Sequence, residues 1–383
     1  MINDSNIDFL IVGAGLYGST IARLLTDEGY NCLILEQKHH IAGNIYSERT
    51  EYGYDKHVYG PHIFHTNNKR VEDFVKKYSE WIPYQLETLA SDGKKLYHLP
   101  FNMNTFYEVF RTIYPWKAKE IIDKEIELFK TENPSNLEEQ ALNMVGKTIY
   151  DKLIKNYTEK QWGKSCTELS PDIIKRLPLR FTFDNNYFND SFQAIPKDGY
   201  TQFVKNIIGN IPCICNCQIK SENYEYWKDN VKYEIIYCGA IDELLDYEYG
   251  ELEWRSLRFE NTKIEYNGFN GQGNAIINDV SKEPSTRSTE HMWFRKDLVK
   301  PGIISIITKE YPDTWRRYKE RYYPIDNENN NKKYERYLDL LKEKMPKVRV
   351  GGRLGKYKYF DMDDTILEAM KDFAYLIYLH NPV

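Results

Sequence analysis

Gly13, Gly15 and Gly18 form a Gly-x-Gly-x-x-Gly run directly after the apolar stretch Asp8-Phe-Leu-Ile-Val12. The first glycine allows a tight turn, the second lets a pyrophosphate approach the backbone, and the third lets a helix pack closely on a strand. A helix opening there offers phosphates its free N–H groups and its positive dipole end. Such a helical pattern follows, with Thr20, Ile21, Ala22, Leu24 and Leu25 leading to Gly29. A second apolar run, Asn31-Cys-Leu-Ile-Leu35, ends at Glu36, 18 residues after Gly18. By itself the glycine run also fits a plain tight turn. A strand before it, a helix after it and an acid at the next strand end point to a dinucleotide site. The Glu36 carboxylate suits a free ribose 2′-OH and disfavours NADP.

Other candidates are more open. Glu36-Gln-Lys-His-His-Ile-Ala-Gly43-Asn44 places a second turn just after the acid, similar to flavoproteins of the glutathione-reductase type, with Ala42 where those have a glycine. Tyr59-Gly-Pro-His62-Ile-Phe-His65-Thr66 presents His62 on a turn, with His57 nearby. The readings are a cofactor-facing loop, structural histidines, or a metal site, and no acidic or cysteine ligand of suitable spacing supports the metal. In Tyr157-Thr-Glu-Lys-Gln-Trp162-Gly163, helical spacing puts Tyr157 with Gln161 and Thr158 with Trp162, as core or as a ligand platform. Lys175, Arg176 and Arg180 form either a solvated face or a diphosphate clamp. Arg255, Arg287 and Arg353 stand alone beside glycine or turn residues. Cys213, Cys215 and Cys217 share one side of a strand and lack the second pair that zinc requires. No Ser-His-Asp order or G-x-S-x-G elbow is present.

These residues need elements to hold them. The first 36 residues read as an opening βαβ unit. Residues 71–157 are rich in helix formers, and Asn136 with Glu139 resembles a capping box. Residues 180–187 and 266–277 favour strands and turns, residues 232–239 a parallel core strand, and residues 303–307 and 347–352 further strands. Residues 321–333, with their Asn run, read as an exposed loop, and residues 364–379 as a closing helix. The chain has 383 residues, enough for two or three domains. Its net charge of -5 argues against a general nucleic-acid or anionic-membrane binder, so an anionic ligand needs a few placed arginines. No run approaches the roughly 18 apolar residues of a spanning helix. The polar N-terminus lacks signal-peptide features, and the expected location is the cytoplasm. Tyrosines number 32 against 17 phenylalanines, which excludes disorder but assigns no role.

Taken together, the chain resembles the bacterial UDP-galactopyranose mutases over nearly its whole length. The resemblance rests on the words 59–66, 99–106, 157–163, 180–187, 351–354 and 357–361. It implies an α/β fold: an FAD-binding Rossmann-like domain with an inserted helical domain and an antiparallel β-sheet domain. The implied segments are 1–80, 205–250 and 340–383 for the first, 81–170 for the helical domain with a mobile loop at 167–177, and 178–204 with 251–339 for the sheet domain. The implied activity is interconversion of UDP-galactopyranose and UDP-galactofuranose, with possible action on UDP-N-acetylgalactosamine, for cell surface polysaccharide. Reduced FAD is the implied cofactor, its N5 attacking the anomeric carbon. By motif position, Arg176 and Arg287 clamp the diphosphate and His62 lies at the reactive flavin nitrogen. Tyr157, Trp162, Tyr187, Arg255, Asn278, Tyr323 and Tyr359 bind the UDP-sugar. Gly13, Gly15, Tyr17, Gly18, Glu36, Asn44, His62, Ile63, Arg353, Asp361 and Met362 surround FAD. A homodimer without nucleic acid, membrane insertion or bound metal is expected. The rival on the same fold is a flavin amine oxidase-like oxidoreductase.

Overall fold

The computed structural model describes residues 7–174 and 179–380. Strands Ile7–Val12 and Cys32–Leu35 flank the helix Leu16–Asp27 and pair in parallel, Phe9 opposite Cys32 and Val12 opposite Leu35. Val231–Tyr237 pairs in parallel on the other side of the first strand. Cys213–Ile214 and Val348–Val350 form the two edges of this five-stranded sheet. The first strand is therefore central, and the chain winds away from it in both directions. Crevices at the carboxyl ends of such strands are the usual ligand sites.

Buried on both faces, the central strand divides the core by alternation. Phe9 and Ile11 pack with the helices Leu16–Asp27, Tyr200–Ile208 and Met362–His380. Leu10 and Val12 pack on the other face with Tyr337, Leu340 and Leu341 of the helix Glu328–Lys344.

Seven strands form a second, mixed sheet. Its order is Tyr323–Pro324, Trp254–Glu265, Ile304–Thr314, Arg287–Glu290, Ile276–Asp279, Thr88–Ser91 and Leu96–Leu99. Only Ile276–Asp279 with Thr88–Ser91 is a parallel pair. Thr88–Ser91 and Leu96–Leu99 lie in the stretch expected to be helical, so that boundary is corrected: they extend the sheet, and Ala90 and Tyr97 join the helical core. That core gathers the helices Met103–Phe110, Pro115–Phe129, Leu137–Ile149 and Lys155–Trp162. A smaller sheet, Phe64–Thr66, Phe192–Pro196 and Trp81–Pro83, sits beside the parallel one.

Residues 321–333 are not a loop. They hold the strand Tyr323–Pro324 and the start of the helix Glu328–Lys344, whose cap is Asn327: its side chain accepts from Asn330 N at 2.8 Å. Asn330 is itself buried and donates to Glu253 and to the Ile325 carbonyl. A polar run reads as solvent-facing unless the carbonyls it satisfies are known. Residues 180–187 form no strand either. In the cysteine segment only Cys213 and Ile214 are in a strand. No helix among the described residues is long and apolar enough to cross a membrane.

Candidate active site at two adjoining cavities

The glycine turn closes on itself so tightly that a side chain is excluded at Gly18 and strained at Gly13. A Cβ on Gly18 would lie 1.9 Å from the Gly13 carbonyl oxygen, and Gly13 has φ +117°. The helix that follows starts at Gly15 with no side-chain cap and no acid in its first turn. Its leading N–H groups thus have no side-chain rival for an anion. Glu36 is buried at the end of the next strand. Its Oε2 accepts from Ala14 N at 2.7 Å and its Oε1 from Lys38 N at 2.8 Å, which ties the acid to the turn. Burial pushes its carboxyl upward, and those two N–H bonds oppose the shift. In the second turn Ala42 takes the left-handed conformation, φ 75°, that a glycine would adopt without cost.

These residues line the first cavity, which encloses about 1150 Å³ of empty space, part of it open to solvent. Gly13, Gly15, Tyr17, Gly18, Glu36, Asn44, His62, Arg353 and Met362 are all on its wall. Tyr17 is there as packing. Its hydroxyl donates to Asp372 at 2.5 Å, and its ring fills the space a Cβ on Gly351 would need. The uncapped helix, the glycine turn and the strand-end acid fit a dinucleotide.

The second cavity encloses about 1080 Å³ and shares Asn44, His62, Arg353 and Met362 with the first. Ile63 and Asp361 lie on this side of the wall rather than in the first cavity. Arg287, Asn278, Tyr187, Tyr323 and Tyr359 line it as well. Arg287 is held from three sides. Its Nε donates to Asn278 Oδ1 at 3.2 Å, its Nη2 donates to Tyr157 Oη at 3.2 Å, and its Nη1 lies 4.0 Å from Glu310 Oε2. Sheet register explains the set, since Asn278 and Glu310 are its cross-strand partners on either side. Burial alone would lower the guanidinium's affinity for its proton, but Tyr157 and Glu310 outweigh it. Burial raises the Glu310 carboxyl, and Arg287 pulls it back. Tyr323 and Tyr359 stack at 6.0 Å, and Tyr359 donates to Asp361 at 2.9 Å. Arg353 lies 4.5 Å from the Tyr359 ring and donates to the Phe360 carbonyl at 2.6 Å. Burial, with Arg353 nearby, lowers the His62 imidazole to about 4, so it is neutral at pH 7.

Two of the described candidates stand elsewhere, and Tyr157 touches Arg287 without lining either cavity. Arg255 lines neither cavity: it is buried, donating to the Gln161 and Lys160 carbonyls and to Thr314. Its charge closes the C-terminal end of the helix Lys155–Trp162, where a cation is favoured. Trp162 faces a separate depression formed with residues 164–173 and 325–335. Arg176 lies outside the described residues, as does Lys175. Arg180, the third cation of that group, donates to the Asn186 and Tyr187 carbonyls and to Asn189, closing the 180–189 loop. Sequence reasoning missed Glu310, Tyr322, Thr88 and the His65–Asp190 pair, which touch at 2.9 Å, with His65 stacked on Phe188. Nothing in the local words around Glu310 or Thr88 separates them from ordinary sheet residues.

A family model described as UDP-galactopyranose mutase matches residues 152–359, and one described as an NAD(P)-binding Rossmann-like domain matches residues 11–78. A probable UDP-galactopyranose mutase of Klebsiella pneumoniae is 39% identical, covering 97% of this chain and 94% of that protein. A dTDP-fucopyranose mutase of Escherichia coli is 36% identical, covering 94% and 96%. Among solved structures, a reduced UDP-galactopyranose mutase superposes with a TM-score of 0.75 over 98% of this chain and 96% of that one, at 17% identity. At that identity the superposition speaks for the fold.

Proposed function

The chain belongs to the UDP-galactopyranose mutase family and is an isomerase; from that premise we propose that it interconverts the pyranose and furanose forms of UDP-galactose, with reduced FAD in the first cavity. The observation that carries this reading is the shared wall: a cavity fitted to a dinucleotide shares His62 and Arg353 with one that presents a held arginine and five tyrosines. Reduced flavin, when bound, supplies a nucleophilic N5 for the anomeric carbon. The chain's own residues do the rest. Arg287 meets the departing diphosphate with a charge already oriented by Asn278, Tyr157 and Glu310. Tyr187, Tyr323 and Tyr359 offer hydroxyls to the same phosphates. Tyr157 stacks on the uracil, and Arg176 is the second diphosphate clamp. The glycine turn, Glu36 and Asn44 hold the dinucleotide, and His62, neutral at pH 7, adds no charge at the wall.

The test is product analysis. Protein loaded with FAD and reduced by dithionite should convert UDP-galactopyranose to UDP-galactofuranose. A second reading, dTDP-fucopyranose as substrate, is favoured by the near-equal identity to the Escherichia coli relative. UDP-N-acetylgalactosamine is the third substrate to run beside them. Turnover of none of the three by reduced holoprotein overturns the mutase reading, and substrate-dependent bleaching of oxidised flavin would replace it with an oxidase. A cytoplasmic homodimer belongs to the same proposal, and light scattering of the purified holoprotein checks the assembly.

A further inference from the structure

A polarised chain of hydrogen bonds runs from the seven-stranded sheet to the peptide that both cavities share. Asn261 and Thr308 face each other across two strands, and Thr308 Oγ1 donates to Asn261 Oδ1 at 2.6 Å. His291 Nε2 lies 2.7 Å from Thr308 Oγ1. The backbone N–H of His57 donates to His291 Nδ1 at 3.2 Å. The backbone N–H of His62 donates to His57 Nδ1 at 3.0 Å.

Each link constrains the next. Thr308 has one hydroxyl proton and gives it to Asn261, so toward His291 it accepts. His291 Nε2 therefore carries the proton, which leaves Nδ1 free to accept from His57. His57 Nδ1 faces an N–H donor as well, so its proton sits on Nε2. Both rings are neutral and in one tautomer. Burial works in the same direction, holding the His57 imidazole well below its ordinary value and His291 at about 3. The His57 ring is further fixed by a stack on Phe294, 4.7 Å away and 3° from parallel.

The start of the loop at the end of this chain is tied separately, Val58 N donating to the Tyr46 carbonyl at 3.2 Å and Tyr59 Oη meeting His40 Nε2 at 2.8 Å. Residues 58–63 belong to no strand. Pro61 has no N–H to give. Gly60 has φ +99°, and the His62 that follows lines both cavities. At the other end, Thr308 stands two residues before Glu310 on one face of the strand that pairs with Arg287–Glu290. One sheet face thus both orients Arg287 and anchors the loop.

We propose that His57 is a positioning residue for the reaction: its Nδ1 holds the Pro61–His62 peptide, and with it His62, at the wall between the two cavities, while His291 and Thr308 anchor it to the sheet that carries Arg287. The inference rests on the flavin reading above. The experiment uses full-length, FAD-loaded protein with two substitutions. His57→Phe keeps a ring against Phe294 and removes the acceptor. His57→Asn places an amide oxygen near the Nδ1 position.

His57→Phe should keep FAD but lose at least tenfold in kcat, with KM changed less than threefold. The midpoint potential of its bound flavin should move by a tenfold change in relative affinity for the two redox forms, about 30 mV for a two-electron couple. His57→Asn should recover most of both. Wild-type kcat and potential in His57→Phe, or no recovery in His57→Asn, overturns the proposal. Imidazole 15N spectra of the wild-type protein decide it without any variant folding or turning over. His57 and His291 should both be neutral and protonated at Nε2 at pH 7, and a proton on His57 Nδ1 overturns the proposal. If the protein turned over no sugar nucleotide at all, the tautomers and the flavin potential would still decide on His57 alone, so the two failures are distinguishable.

Discussion

Arg287 concentrates the positive charge that an acidic chain must place by hand. The net charge of -5 supplies no attractive field for a diphosphate, yet three neighbours aim this guanidinium into the second cavity. Arg287→Ala should therefore lower kcat by about two to three orders of magnitude, the usual cost of losing a preorganised charge at a developing anion. Bound FAD should be unaffected, and the two are read separately by product chromatography and flavin absorbance. Arg255 makes the contrast. Its guanidinium is engaged by the carbonyls that end the helix Lys155–Trp162 and lines neither cavity, although its cross-strand partner Tyr323 lines the second. Arg255→Lys should lower the Tm by several degrees, because one ammonium cannot reproduce the planar fork. KM for the sugar nucleotide should stay within twofold, and a large rise in KM would return Arg255 to the substrate site.

At the scale of elements, two turns and one cap carry testable weight. The first glycine turn leaves no space at Gly18, where a Cβ would sit inside the Gly13 carbonyl. Gly18→Ala must open the turn, so FAD should no longer copurify with the chain. The cap of the helix Glu328–Lys344 is a milder case. Asn327 satisfies one free N–H, and Asn327→Ala should cost about 1 kcal/mol in urea denaturation. That helix packs Tyr337, Leu340 and Leu341 beneath the parallel sheet, which is why a polar Asn run ends up as the start of a core element. Its apolar residues begin only after the run, so the helix period is visible downstream while the start is hidden among residues that suit loops equally well.

For the molecule as a whole, the buried histidines predict a pH response. His291 is held near 3 in the folded protein, mainly by burial, against about 6.5 in an unfolded chain. Between those values the unfolded state binds the extra proton. The contribution of His291 is therefore complete above about 6.5 and is lost as pH falls toward 3. Glu36, Asp55 and Glu310, raised by burial, act with the opposite sign, so the absolute profile mixes both. A comparison isolates the histidine: from pH 6 to pH 4, wild type should lose about 1 kcal/mol per pH unit more than His291→Asn. Equal slopes in urea denaturation would show that His291 titrates normally.

The opening βαβ unit, its glycine turn and Glu36 were legible in the sequence because everything they need lies within one short stretch. Backbone periodicity and the absence of a Cβ act over a few residues and leave their mark in order and spacing. The family words were legible for a related reason, each being a contiguous run. Tertiary structure alone decided that Arg287 meets Tyr157 across 130 positions and that His57 meets His291 across 234. It also left Arg255 and Trp162 off the wall of the second cavity and put Glu310 on it. Such meetings follow from strand register and from which sheet face looks at which cavity, and linear spacing carries no record of either.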